Sequence, residues 1–508
     1  MDEMILTFQT RLLLDHKKEE VLQECAYLLN TVERSLHAEV AKGKSSASCK
    51  NDFLKAFGIT ARQFNACRVS LEGKLSACKA GQERSLSSLK QQIDALDMQI
   101  QTLARKPSKR FSLHQKKRRR HTLTSRLAAM DKKQQRIRLC FGGKKLFSAQ
   151  YHLEKNGFAS HAEWRKNWNA KRNSEFFVLG SKDETAGNQT CTARLQDKLV
   201  LRLRLPPALE KLHGKYLEIE DVEFAYGQKA ILDALKNKQA LSYRFKRDAK
   251  SWKVFVSTAI KKPETISKEE QGVIGLDLNV DHIAYIETDR FGNFIKKEIF
   301  SWISYGKTKE RLKALTADIC KTIVDKAKEV KKPIIIEKLD FQKKKLSLQE
   351  GSKKLARLLS SFAYGQFFLN LRVRAFKNGI EVHTVNPAFT SVIGCVNYAK
   401  RYGLSCHLAA ALCIARRYQK FSESPSSSEG NIPNRKGIHV AFVLPVRNRT
   451  KHVWHFWGRV KKKISTVLAA HNRAIDPRVR LKSDSCDRKL PFVIGENPIR
   501  ESLAKLLG

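Results

Sequence analysis

The sequence lacks several features that would each have pointed to a class of protein. It has no C-x-x-C pair, and its eleven cysteines are odd in number and scattered. That excludes a paired disulfide framework, and it fits a reducing compartment. No run of about 18 apolar residues occurs, and no amphipathic segment pairs with a lipidation signal, so no membrane partner is expected. The opening MDEMILTFQT places an acid where a secretion signal needs basic residues, and Gln9 and Thr10 interrupt its short apolar stretch. The expected location is therefore intracellular, in the cytoplasm. Acidic residues are the most conspicuous shortage: 50 Asp plus Glu stand against 97 Lys plus Arg, a net charge of +47. A solvated surface alone does not require such an imbalance. A polyanion, nucleic acid, is the expected partner, which would make the chain nucleoid-associated.

What is present is a chain of 508 residues with 42% apolar content, enough for about three or four domains with real cores. The first twelve residues read as a strand, and Val21, Leu22, Cys25, Leu28, Leu29, Val32 and Leu36 then fall at helical spacing. Leu86, Leu89, Ile93, Leu96, Ile100 and Leu103 form a heptad seam that stops at Pro107, and a helix over about 121–139 is expected to fold back on it. The tip of this hairpin would carry Lys109, Arg110, Lys116, Lys117, Arg118, Arg119 and Arg120. Such a cluster fits phosphate contacts, and it equally fits a solvated charge run. In KLVLRLRLP, four leucines alternate with Val200, Arg202 and Arg204, the pattern of a half-buried strand whose other face offers cations. Tyr243, Phe245, Trp252 and Phe255 lie near basic residues in two further strand candidates. They read either as a base-stacking wall of a small β-barrel or as ordinary core.

From about residue 271 the order is three strands, then helix and strand in alternation, with a last helix starting near Ser405. This is the order of the ribonuclease H fold. Two of its strands each deliver one acid out of an apolar run: Asp277 in VIGLDLNVD and Glu337 in PIIIEKLDF. Carboxylates are seldom buried unless paired or bound to metal, so the two together suggest a divalent-metal site. After Phe421, SESPSSSEGNIPNRKG reads as a polar linker, GIHVAFVLPV as a further strand, and HVWHFWGRVKKKI as a basic, aromatic tail.

A strand with a GLDLN-type acid, an IIIEKLDF acid, NPAFTS before the last helix and a leading strand plus helix together resemble the TnpB family of transposon-encoded RNA-guided DNA nucleases, related to the type V CRISPR effectors. FFVLGSKDETAGN and RYGLSCHLAAALCIARR look like a divergent branch of it. The resemblance implies a multidomain α+β architecture: a helical recognition insert within a small wedge β-barrel, followed by a RuvC-like, ribonuclease H-fold nuclease domain. The implied segments are 1–12 (first barrel strand), 13–172 (helical recognition domain), 173–268 (barrel), 269–420 (nuclease) and 421–508 (linker and basic C-terminal region). It also implies a guide RNA and a target DNA as partners, with Mg²⁺ or Mn²⁺ as cofactor. A heteroduplex held by its backbone suits the charge.

Two departures stand out. Where the family has a third acid opening the last helix, this chain has His407, and where the family has a zinc ribbon, only Cys395 and Cys406 fall nearby, so no structural zinc is expected. His407 has three readings: a metal ligand, a group that orients water or acts as base, or the mark of an inactive site. Imidazole suits Mn²⁺ better than Mg²⁺. Asp340 is a fourth option as a substitute ligand, although three residues past Glu337 it would face the other side of a strand. Arg416 and Arg417 follow His407 on its helix, placed either to hold a phosphate or to stabilise the helix C-terminus. The reading is an RNA-guided, metal-dependent DNA endonuclease with Asp277, Glu337 and His407 as its catalytic and metal residues. The alternatives are an RNA-guided DNA-binding protein without nuclease activity, acting as repressor or transposition accessory, and a guide-free structure-specific nuclease.

Overall fold

The computed structural model describes residues 3–105, 107–134, 139–182, 184, 187–249, 251–279, 281–303, 307–338, 361–425, 427–433 and 439–475. It divides into two units, Met1–Lys261 and Lys262–Gly508, of mixed α and β structure. Asp340 lies outside the described residues.

In the first unit, β1 (Glu3–Arg11) is followed by α1 (His16–Ala41), which starts where the Asp15 side chain accepts from the Lys18 amide. A long α2 (Ala61–Ala104), opened by a Thr60–Gln63 capping box, and α3 (Arg110–Gln134) form an antiparallel hairpin. The predicted second helix therefore begins eleven residues early. Nothing between 110 and 121 breaks a helix, and Arg, Lys, Gln and Leu are good helix formers. The basic cluster consequently lies along the first turns of α3, with only Lys109 in the turn before it.

Strands β2 (Glu175–Val178), β3 (Cys191–Leu195), β4 (Leu199–Arg204), β5 (Tyr216–Val222), β6 (Ser242–Arg247) and β7 (Trp252–Lys261) complete the unit. Among the described residues these strands and β1 form two sheets, β1-β7-β6-β2 and β3-β4-β5. β1 pairs antiparallel with β7 along its whole length, from Glu3 opposite Lys261 to Arg11 opposite Lys253. Both sheets feed one apolar cluster that includes Leu199, Leu201, Leu203 and Leu205, as their alternation predicts. Tyr243, Phe245 and Trp252 are fully buried in the same cluster. A ring inside the core cannot stack on a base, so the base-stacking reading fails for these three.

The second unit is built on β8 (Ile274–Leu278), β9 (His282–Thr288), β10 (Phe294–Ser301), α4 (Lys309–Glu329), β11 (Ile334–Glu337), α5 (Ser361–Lys377), β12 (Val382–Val385) and α6 (Cys406–Tyr418). Its sheet runs β10-β9-β8-β11-β12. β9 is antiparallel to both neighbours, while β8, β11 and β12 are parallel. On one face Ile274, Leu276, Ile334 and Ile336 pack with Ile319, Ile323, Phe367 and Leu371 from α4 and α5. On the other lies α6, whose run of small residues lets it approach closely. A Cβ on Gly275 would come 2.2 Å from the Ala411 carbonyl oxygen, and one on Gly394 would come 2.4 Å from that of Ala409.

Described residues after 420 join this core. β13 (Glu429–Pro433) pairs with β14 (His439–Val443), and α7 (Val453–Ile475) buries Phe456, Trp457, Val460 and Ile464 in the cluster that also holds Val392, Ile393 and Leu408. β13 lies in the segment read as linker. Its signal is a single inward apolar side chain, Ile432, buried with Phe442 and Leu444, among residues that otherwise favour turns.

Candidate active site on the second unit

The apolar run of β8 delivers Asp277 at its far end, and all five residues of the strand are buried. The parallel register pairs Ile336 with Leu276. One step further, Glu337 therefore ends β11 beside Asp277, on a strand about 4.8 Å away. Side chains alternate along a strand. Because Ile336 and Leu276 face α4 and α5, Glu337 and Asp277 both face α6.

The N-terminus of α6 meets this face. Ser405 caps it, accepting from the Leu408 amide, and His407 stands in its first turn. His407 Nδ1 lies 3.2 Å from Asp277 Oδ2. Asn279 Nδ2 donates to the same oxygen at 3.0 Å. Beyond Asn279 is a second imidazole: His282 Nε2 lies 3.5 Å from Asn279 Nδ2, and its ring sits edge-on to His407 with centroids 4.8 Å apart. His282 Nδ1 is bonded to Asp281 Oδ1 at 2.8 Å. That hydrogen bond holds the Asp281 carboxyl below the usual carboxylate range, against the desolvation that raises it. The bond to an ionised carboxylate assigns a proton to Nδ1.

Glu337 accepts from the Thr390 hydroxyl, which also donates to the Pro387 carbonyl at 3.2 Å. Thr390 belongs to the NPAFTS segment, whose turn is fixed by Asn386 Oδ1 accepting from the Ala388 amide at 3.0 Å. Arg417 holds that turn: its guanidinium donates to the carbonyls of Asn386 and Ala388, the latter at 2.8 Å, and to Glu423. Arg416 donates to the Gly292 carbonyl at 2.6 Å and to the Tyr398 hydroxyl at 3.0 Å, and it lies over the Phe421 ring. Both arginines, read as holding either a phosphate or the helix C-terminus, are engaged by the protein itself.

Of the residues expected from the sequence, Asp277 and His407 do meet, and Glu337 shares their face. The neighbours that sequence reasoning misses are His282, Asn279 and Asp281, although all three directly follow Asp277 in LDLNVDH, and Thr390. On the first unit, Lys117, Arg118 and Arg119 are exposed on α3, and Arg120 Nε pairs with Asp97 Oδ1 of α2 at 2.5 Å. Arg202 lies over the Tyr216 ring at 3.8 Å and faces Glu218 at 3.5 Å, and Arg204 is half-buried on the same strand.

Cys395, Cys406 and Cys413 are buried around the start of α6. Among the described residues, the three metal-ligating side chains whose donor atoms come within 4.8 Å of one another are Glu269, Glu381 and His383. Also among the described residues, no helix is long and apolar enough to cross a membrane.

No protein-family profile matches the chain, and no curated protein matches it. Among solved structures it is similar to T. thermophilus RuvC in complex with a Holliday junction substrate, at 17% identity over 28% of this chain and 89% of that one, with a TM-score of 0.21. A second Thermus thermophilus RuvC structure gives 15% identity over 28% of this chain and 90% of that one, at the same TM-score of 0.21. A cryo-EM structure of a CRISPR-Cas12f ternary complex gives 11% identity over 81% of this chain and 98% of that one, again with a TM-score of 0.21.

Proposed function

We propose that the chain is a divalent-metal-dependent phosphodiester hydrolase of the ribonuclease H fold that cuts DNA under the direction of a bound guide RNA. One observation carries the chemistry. Asp277 and Glu337 end adjacent parallel strands on one face, and the helix crossing that face brings His407 to 3.2 Å from Asp277. The strand order, with β9 antiparallel between β8 and β10, supports the fold. The guide rests on the resemblance of the sequence to TnpB proteins and on the net charge of +47.

The donor set fits a cation. Asp277 Oδ2 and His407 Nδ1 are separated by 3.2 Å, close to the roughly 3 Å between neighbouring ligands on an ion with bonds of about 2.1 Å. Asp277, His407 and Glu337 would hold it, and Mn²⁺ would suit the imidazole better than Mg²⁺. When bound, such ions neutralise charge developing on the phosphate and lower the pKa of water. The chain's own part is positioning. Asn279 fixes one Asp277 oxygen, Thr390 fixes Glu337, and the Asp281–His282 pair sets the wall against which the His407 ring stands.

The test is to express the protein with its flanking DNA, sequence the RNA that purifies with it, and assay a matching DNA library with Mg²⁺ or Mn²⁺. Asp277→Ala, Glu337→Gln and His407→Ala are run alongside. A discrete RNA, with cleavage reduced about 10³-fold or more in Asp277→Ala, is expected, because several kcal/mol of charge stabilisation is removed. RNA and target binding without cutting in either metal would leave guided binding as the function. The absence of any discrete RNA would overturn the guided reading altogether.

A further inference from the structure

Beside the far end of α6 lies a second cluster of metal-ligating side chains, separate from the residues above. Glu381 and His383 are two residues apart on the strand leading into and along β12, so their side chains share a face. Glu269 reaches them from the short turn Glu269–Gln271 that precedes β8. Tyr418, the last residue of α6, stacks on the His383 ring with centroids 4.9 Å apart, and its hydroxyl donates to Glu269 Oε1. Eleven residues of helix separate Tyr418 from His407, about 16 Å at 1.5 Å per residue, so this cluster cannot touch a group reacting at Asp277.

The arrangement is incomplete as a hydrogen-bonded network. His383 Nε2 is closed off from solvent and has no hydrogen-bond partner. Two carboxylate oxygens face it from beyond hydrogen-bonding range, Glu381 Oε2 at 3.7 Å and Glu269 Oε1 at 3.9 Å. The other Glu381 oxygen is taken by Lys262 Nζ at 3.2 Å, which fixes the carboxylate with Oε2 turned toward the histidine. Three donors spaced in this way surround a point rather than bond to one another. Ligands on a tetrahedral ion with bonds of about 2.0 to 2.1 Å sit about 3.4 Å apart. The three donor atoms lie within 4.8 Å of one another, and Glu269 is exposed. Burial and the Glu269 carboxylate push the Tyr418 hydroxyl above its ordinary range, so it remains a donor to that carboxylate.

We propose that Glu269, Glu381 and His383 bind one first-row divalent cation of the zinc class, which clamps the turn before β8 and strand β12 together beside the C-terminal end of α6. One imidazole and two carboxylates form a borderline donor set, for which the order of divalent affinities favours Zn²⁺ over Mn²⁺ and Mg²⁺. The function is mechanical. α6 also carries His407, and fixing its far end restricts the helix that sets the His407–Asp277 distance.

The experiment is metal retention by the whole chain, independent of any cleavage. Protein carrying Asp277→Asn and His407→Gln, which removes donors of the candidate active site, is loaded with Zn²⁺, passed through a desalting column and analysed by elemental mass spectrometry. The visible absorption of a Co²⁺-loaded sample reports the coordination. About one equivalent is expected, retained in this background and lost on adding His383→Gln or Glu269→Gln. Glu269 is more than half exposed, so its substitution leaves folding intact where that at His383 disturbs it, and circular dichroism checks both. Zinc retained equally in the Glu269→Gln and His383→Gln proteins would overturn the proposal, as would no retention by the folded parent. Neither result bears on whether the chain cuts DNA.

Discussion

Arg118 and Arg417 are the same residue in two settings. On α3, Lys117, Arg118 and Arg119 stand exposed on a helix whose backbone groups are satisfied by the helix itself. At the end of α6, Arg417 reaches the carbonyls of Asn386 and Ala388 in a loop that no ladder satisfies, and Arg416 does the same with Gly292 in the β9–β10 turn. A guanidinium has five donors in a planar fork and no acceptor, so it settles where unpaired carbonyls converge. The difference teaches that charge in a sequence does not identify its partner. Supply of unsatisfied backbone around the side chain decides whether a cation holds the protein together or stays available to a phosphate.

The largest effect that tests this contrast is at Lys332, the most deeply engaged cation of the second unit. Its Nζ lies 2.7 Å from Glu287 Oε1 and 2.9 Å from the Thr288 carbonyl, with both side chains under a tenth exposed. Lys332→Met should lower stability by about 3 to 5 kcal/mol, because a buried carboxylate is left without its partner. Adding Glu287→Leu should restore most of the loss. Denaturant midpoints of the single and double variants measure both. Next is Arg417→Lys, which keeps the charge and removes the fork. If Arg417 holds the 386–388 turn, the change costs about 2 to 3 kcal/mol, and Thr390 loosens from Glu337. If its use were a phosphate, lysine would serve nearly as well and the unfolding midpoint would not move.

Exposed cations should behave in the opposite way. Arg118→Gln with Arg119→Gln should change stability by no more than about 0.5 kcal/mol. The same pair should weaken nucleic-acid binding and reduce the slope of log affinity against log salt by about 0.9 for each phosphate no longer neutralised. Binding measured at four salt concentrations reads the slope directly. An unchanged slope would place the hairpin among solvated charge runs and remove the contrast with α6.

What could be read in advance follows the same division between local and non-local causes. The strands at Ile274–Leu278, His282–Thr288 and Ile334–Glu337 were legible because β-branched runs and alternation are local signals, and Ser405 marked the start of α6 by its capping chemistry. Asp277 and Glu337 were legible because a carboxylate ending an apolar strand contradicts its surroundings. His282 was not, since a histidine opening a strand is unremarkable until the fold brings it edge-on to His407, 125 residues later in the sequence. The buried rings of Phe245 and Trp252 were ambiguous for the same reason: both pack on Phe176, which comes from another strand. The Glu269, Glu381 and His383 cluster joins a turn to a strand more than a hundred residues away and leaves no local trace.

The smallest expected effect extends the contrast from cations to an acid. Asp281 is engaged as Arg417 is, through His282, and its carboxyl is held below the usual carboxylate range chiefly by that hydrogen bond. A carboxyl whose pKa is lowered on folding stabilises the protein at pH values above its unfolded pKa of about 3.9, and the contribution disappears as pH falls through the folded value. Asp281→Asn should therefore leave the difference in stability constant through the neutral range and shrink it toward pH 3. The size is modest, because the group is partly open to solvent and screened. Urea midpoints of both proteins taken from pH 7 to pH 3 make the comparison. Converging curves on the acid side mean that the Asp281–His282 bond operates in the folded protein. Parallel curves would mean that His282 is held against His407 by packing alone, and the polar wall of the candidate site would then reduce to Asn279 and His407.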